Sequence, residues 1–245
     1  MDTLDAVLHR LAQTQPAPPV GVALACLGAA AVMVLCAPLW RWSRGLVTIA
    51  HEGGHALTAV LMRRRLTGIR LHADTSGLTF SRGRPTGFGA AMTLLAGYPA
   101  PAALGLGAAA LTGAGRIVAL LWITLVLLAV MLVFIRNWYG LLALLVTGAG
   151  VFTATWYGSA VVQTAAACLG AWLLLIGSVK AVFELGADRR ARRGPGASDA
   201  DQLAGITPLP AGAWIFLFAA ATIAAAAWGA WMLLPLEAWS RAAGP

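Results

Sequence analysis

His51, Glu52 and His55 fall within five residues, in the segment His51-Glu52-Gly53-Gly54-His55, of a 245-residue chain in which only 11% of residues are charged. On a helix, positions i and i+4 share a face. The two imidazoles can therefore present nitrogens to one Zn²⁺ while Glu52 projects beside them toward a metal-polarised water. This is the apparatus of metal-assisted peptide hydrolysis, with Glu52 as the general base that takes a proton from the attacking water and returns it to the leaving amine. The setting strengthens that reading. Residues 45–62 otherwise look membrane-buried, and each ionisable side chain inside a membrane segment costs roughly 2.5–3.5 kcal/mol on insertion scales. Three together call for a function. Gly53 and Gly54 weaken a helix by about 1 kcal/mol each relative to alanine, which suits close approach of a neighbouring helix or of substrate backbone.

The elements that must carry this motif are membrane helices. The chain is 60% hydrophobic with a mean hydropathy of +0.79, which excludes a soluble enzyme and makes the lipid bilayer its solvent. Apolar windows at 20–40, 46–62, 88–111, 117–135, 138–156, 160–183 and 212–235 predict an all-α polytopic membrane protein of about seven transmembrane helices, with Trp40, Trp42, Trp138, Trp156, Trp214 and Trp239 near span ends as interfacial aromatics. The lead beginning Met1-Asp2-Thr3-Leu4-Asp5 lacks the basic n-region of a signal peptide, so the first apolar run is expected to be retained. Three units follow: a cytoplasmic N-terminal segment 1–19, a single membrane-embedded domain 20–235 and a tail 236–245.

With seven spans, Arg10, Arg63–Arg65, Arg70, Arg82, Arg84, Arg136, Lys180 and the 189–193 run fall on one side and only Arg41, Arg44, Arg116 and Arg241 on the other. The positive-inside rule then puts the N-terminus in the cytoplasm and the C-terminus outside. The formal net charge of +8 thus serves orientation and lipid contact, and nucleic acid is not an expected partner. Cys26, Cys36 and Cys168 all fall in apolar runs without C-x-x-C spacing and read as small core residues.

Two loops are long enough to hold structure. The first, 63–87, alternates side chains on either side of Ala73-Asp74-Thr75-Ser76-Gly77 and predicts a β-hairpin after the motif helix. The second, 184–211, passes Gly194-Pro195-Gly196 into Ser198-Asp199-Ala200-Asp201-Gln202, where Ser198 or Asp199 is a candidate N-cap of a short helix ending before Pro208.

A motif-bearing membrane helix, then a hairpin, then a helix with Ala96-Gly97-Tyr98-Pro99-Ala100-Pro101 resembles the site-2 protease family of intramembrane zinc metalloproteases, in particular its compact bacterial branch without PDZ or CBS domains. The resemblance covers most of residues 46–211. It implies one zinc ion on His51 and His55, Glu52 as general base, a membrane-protein substrate and a multi-pass location in the bacterial plasma membrane. It also implies that the hairpin, over 67–82, presents substrate as an extended strand by edge pairing, and that Gly97 and Pro99 form the family's glycine/proline element at the substrate.

A catalytic zinc takes a third protein ligand, and here the chain departs from the family. The usual aspartate, in an Asn-Pro-x-Asp-Gly or Leu-Asp-Gly element two helices downstream, has no counterpart: 117–135 contains no acid, and Arg136-Asn137-Trp138-Tyr139-Gly140 offers no carboxylate. Asn137 becomes a candidate for substrate-backbone hydrogen bonding. Of the nine acidic residues, Asp2, Asp5 and Glu237 lie at the chain ends, while Glu184 and Asp188 neighbour basic residues on a solvated helix end. Asp74 is explained by turn chemistry, although it or His72 could fold back to the metal. Asp199 and Asp201 are the preferred ligands, Asp199 first, provided that the 184–211 loop is re-entrant and lines a polar cavity, because His55 lies about two turns above Met62, roughly 10–12 Å deep.

The rival reading is a degenerate membrane protein of the same fold that binds substrates as a scaffold. The missing aspartate favours it, and the intact His51, Glu52 and His55 oppose it. A metal-ion permease would need further intramembrane acids or histidines along a path, and none is present.

Overall fold

The computed structural model describes residues 13–191, 196 and 198–234. The 236–245 tail, most of the 1–19 lead, and Arg192 and Arg193 of the basic run lie outside the described residues. Nine helices and one hairpin are described: α1 (Val20–Leu35), α2 (Ala37–Leu61), β1 (Arg65–Leu71), β2 (Gly77–Arg82), α3 (Phe88–Leu95), α4 (Pro99–Gly113), α5 (Ile117–Phe134), α6 (Trp138–Tyr157), α7 (Ala160–Ala191), α8 (Asp199–Ile206) and α9 (Ala211–Leu233).

Four of these, α5, α6, α7 and α9, are long and apolar enough to cross a membrane, and the count rises to six if the bent pairs α1–α2 and α3–α4 are each one span. The sequence windows give seven because they divide 20–62 at the polar stretch around Arg41 and Arg44. The helix runs straight through those arginines, and the chain instead breaks at Cys36, turning by 104° into α2. Pro38 explains the position of the break. It has no N–H for the Val34 carbonyl, and its fixed φ starts a new helix readily. The Lys180 ammonium donates to that orphaned Val34 carbonyl at 2.6 Å, meeting the demand that backbone groups at membrane depth find partners. Glu184 completes the joint, accepting from Trp40 Nε1 at 2.7 Å and pairing with Arg44 and Lys180. The second bend, 60° between α3 and α4, falls where Pro99 and Pro101 follow Gly97.

The bundle has two distinct ends. Gln15 of the lead bonds through its backbone N–H to Gly115, between α4 and α5, and through its side chain to Gln163 at the start of α7. The hairpin lies at the opposite end, with Ile69 of β1 against Ile135 at the foot of α5; the 18 residues of α5 separate the two by about 27 Å. Between them, alanines and glycines let helices approach closely: Ala108 and Ala109 of α4 share a core with Ala167 and Ala171 of α7, and Gly105 sits against Leu175.

α2 ends in a Schellman-type cap. Arg63 takes φ 56°, and the Arg64 N–H reaches back to the Ala59 carbonyl at 2.8 Å, which aims the chain into β1. The strands pair antiparallel, Ile69 opposite Thr79 and Leu71 opposite Gly77, with an irregularity between Leu66 and Gly68. At the hairpin tip the Asp74 carboxylate accepts from the Ser76 amide and hydroxyl at 2.9 and 2.6 Å, bonds that hold its carboxyl below the usual carboxylate range. Thr75 there has φ 66°, a costly conformation for a β-branched residue, and its carbonyl is tied to α2 by the Thr48 hydroxyl at 2.7 Å. The outer edge of β1 is closed by the α5–α6 turn. The Arg136 N–H donates to Ile69, and the Asn137 side chain both accepts from the Leu71 N–H at 3.2 Å and donates to its carbonyl at 2.6 Å.

Residues 198–211 fold back into the bundle. Ala200 and Leu203 of α8 are fully buried, packed with Val182 and Leu185 of α7 and Ala211 and Phe218 of α9. Phe218 is seven residues into α9, about 10 Å from its start.

Candidate metal centre

His51 and His55 lie one helical turn apart on α2, and their Nε2 atoms approach to 3.0 Å. One carboxylate oxygen of Asp199, Oδ2, sits 3.2 Å from each of them. Among the described residues this is the one group of three or more side chains able to hold a metal ion. Metal bonds of about 2.0–2.1 Å at tetrahedral angles place ligand atoms about 3.3 Å apart, close to the triangle observed.

Proton accounting favours a cation at its centre. His55 Nδ1 lies 2.7 Å from the Thr93 carbonyl, which can only accept, so Nδ1 carries a proton. In the neutral ring the Nε2 lone pair then faces both the His51 nitrogen and the Asp199 oxygen. Three such donors converge without repulsion only where a positive charge, a metal ion or a proton on Nε2, lies between them. The Thr93 bond is the outer-sphere orientation that metal-binding histidines use. The residues present therefore fit a divalent metal, which two imidazoles and one carboxylate would hold.

Asp199 is placed there by the start of α8. Ser198 caps that helix, its hydroxyl accepting from the Asp201 N–H at 3.3 Å and donating to Asp201 Oδ2 at 2.6 Å. The other Asp201 oxygen forms an ion pair with Arg189 of α7. Of the two aspartates proposed as ligands, Asp199 meets the histidines, whereas Asp201 has its carboxylate committed to Ser198 and Arg189. Asp74 and His72 stay in the exposed hairpin turn, bonded to Ser76.

Glu52 is 3% exposed and lies under β2, where the Thr79 hydroxyl donates to its Oε2 at 2.6 Å. Gly77 is needed here because a side chain on it would overlap the Glu52 carboxylate. His51, Glu52, His55 and Asp199 all line one cavity of about 800 Å³, which runs along β2 and out past Arg82. Tyr98 also lines it, with its ring edge-on to His51 at 4.8 Å and stacked on Phe218.

Gly97 sits directly against the two imidazoles: a Cβ there would overlap the His55 ring and come within 2.7 Å of His51. Gly97→Ala is therefore expected to displace both imidazoles and weaken metal binding by roughly 10–100-fold, the usual cost of disturbing the support of metal ligands, measured by competition with a chromophoric chelator. Gly54 packs as tightly on Ala100 and the Ala96 carbonyl, so this glycine of the motif admits the α3–α4 bend, whereas Gly53 has open space beside it. Pro99 opens α4 and lines a separate apolar pocket of about 400 Å³ with Thr58 and Phe218. Asn137 is engaged with Leu71.

Sequence reasoning missed Thr79, Gly77, Thr93 and Arg189. The period-two spacing of Gly77 and Thr79 marks them as one face of a strand, but nothing in the order of residues says that this face meets Glu52.

A family model described as Peptidase M50B-like matches residues 23–229. No curated protein and no solved structure matches the chain.

Proposed function

The chain belongs to the Peptidase M50B-like family, a site-2 protease family of intramembrane metallopeptidases, and from that premise we propose that it is an active zinc endopeptidase cleaving peptide bonds in or near membrane-spanning segments. The observation that carries the proposal is the meeting of Asp199 with His51 and His55, 3.2 Å from each. A scaffold that had lost its chemistry would have no need of a third ligand supplied from a distant loop.

When bound, zinc supplies Lewis acidity and makes water acidic enough to lose a proton near neutral pH. His51, His55 and Asp199 hold it, the Thr93 carbonyl orients His55, and Arg189 with Ser198 fixes Asp201 and hence the start of α8. Glu52 takes the proton of the attacking water and hands it to the amine nitrogen as the peptide C–N bond breaks. The substrate must be unwound locally, because a helix hides its carbonyls in its own hydrogen bonds. β2 is suited to hold an unwound segment. The Arg136–Asn137 turn occupies the outer edge of β1, whereas β2 borders the cavity and can take an extended chain by strand addition.

Orientation follows the basic residues. Among those described, every arginine and lysine except Arg116 belongs to the hairpin-side half of the bundle, Arg41 and Arg44 included, through their neighbour Trp40 and the ion pair with Glu184. The positive-inside rule then puts the metal centre near the cytoplasmic face of a plasma membrane. It places the lead around Gln15 on the opposite side, the reverse of the seven-span expectation.

Chelation tests the proposal. Protein reconstituted in liposomes with leucine/alanine transmembrane peptides carrying a central glycine should cleave them, lose the activity with 1,10-phenanthroline and regain it on adding back stoichiometric zinc. Cleavage indifferent to the chelator would rule out the zinc mechanism.

A further inference from the structure

The two carboxylate oxygens of Glu52 have unequal surroundings. Oε2 accepts from the Thr79 hydroxyl at 2.6 Å, and the same hydroxyl lies 3.2 Å from the Glu52 carbonyl. A hydroxyl has one proton to give, and the shorter contact to the charged oxygen takes it. Oε1 accepts no hydrogen bond from any described residue. It occupies the space that a side chain on Gly77 would fill, on the wall of the cavity that both residues line. Residues i and i+2 of a strand share a face, so Gly77 and Thr79 act on Glu52 together, one by leaving room and the other by donating a hydrogen bond.

We propose that Thr79 is a positioning residue for the general base: it anchors Glu52 through Oε2 and so presents Oε1 alone to the reacting water. This rests on the peptidase reading above. In that reaction the water proton passes to Oε1, the water oxygen bonds to the peptide carbonyl carbon, and the proton moves on to the amine nitrogen as the C–N bond breaks, with Oε2 bonded to Thr79 throughout. Without the anchor the carboxylate is free to rotate, and misplacement of a reacting group by about 1 Å costs on the order of 100-fold. Because Thr79 belongs to the strand whose edge borders the cavity, the element that holds the base is also the one best placed to hold the substrate.

The test compares Thr79→Val, which keeps the shape and removes the donor, with Thr79→Ser, which keeps the donor. In the liposome assay Thr79→Val is expected to lower kcat by about 10–100-fold with KM and zinc content unchanged, and Thr79→Ser to stay within about threefold of the original protein. A second readout needs no turnover. The Glu52 carboxylate stretch, isolated by infrared difference against Glu52→Gln, should shift in Thr79→Val and not in Thr79→Ser. An unshifted band, an unchanged kcat in Thr79→Val, an equal fall in Thr79→Ser, or loss of zinc or fold in Thr79→Val would each overturn the proposal. If the original protein cleaves nothing, the peptidase reading falls, while the infrared band still decides whether Thr79 holds Glu52.

Discussion

Glu52→Gln is expected to lower peptide cleavage by about 10²–10⁴-fold, the range for removing a positioned general base, while leaving zinc at one equivalent. Glutamine matches glutamate in shape and keeps a carbonyl oxygen for the Thr79 hydroxyl, which lies 2.6 Å from the carboxylate it replaces. The packing under β2 is thereby preserved. What it loses is the ability to take a proton. Since Glu52 is not among the three side chains able to hold a metal ion, the metal should stay. The check is paired: cleavage of the transmembrane peptides in liposomes, and zinc content of the same preparation. Cleavage at the original rate would remove Glu52 from the mechanism, and loss of zinc would mean that the substitution had disturbed α2 instead.

Asp199→Ala and Asp201→Ala should separate sharply although the two positions are two residues apart. Removing Asp199 leaves two imidazoles 3.0 Å apart with no carboxylate to balance a divalent charge. Stoichiometric zinc and cleavage should both be lost, a larger effect than the roughly 10–100-fold that follows loss of an outer-sphere partner. Removing Asp201 breaks the Ser198 hydroxyl's bond to its carboxylate and the Arg189 ion pair, keeps the backbone N–H that Ser198 caps and touches no ligand atom. The first turn of α8 then loosens, and zinc should bind about 10–100-fold more weakly yet remain in the site. Competition with a chromophoric chelator measures both. Equal effects of the two substitutions would mean that the cap, and not the Asp199 carboxylate, is what the site needs from this loop.

The chemistry-bearing residues are legible in the sequence because burying charge in lipid is costly, so His51, Glu52 and His55 stand out against their surroundings. The same scarcity of acids in the chain narrows the third ligand to a few residues. Two features of the fold cannot be read in that way. A hydropathy window averages over the residues that matter at Pro38 and at Pro99–Pro101, so it reads the motif helix as a separate span instead of the second arm of a 104° bend. The arginines that read as a loop lie inside that helix, where Arg44 meets Glu184 from α7. Contacts across the fold are equally silent. Asn137 reads as a free amide near the substrate but is engaged with the Leu71 backbone, and Gly97 reads as a substrate element but makes room for the histidines. Each of these depends on a partner more than 40 positions away, which local spacing does not encode. The hairpin and the short helix after Ser198 are legible for the opposite reason, since turn and cap chemistry is local.

Whether a distant aspartate completes the site begun by the motif can be read from zinc K-edge X-ray absorption on the purified protein. The expected spectrum has two imidazole nitrogens and one carboxylate oxygen at about 2.0–2.2 Å plus one further oxygen ligand, with the carboxylate contribution absent from zinc-soaked Asp199→Ala. A first shell that is the same in the original protein and in Asp199→Ala would contradict the account.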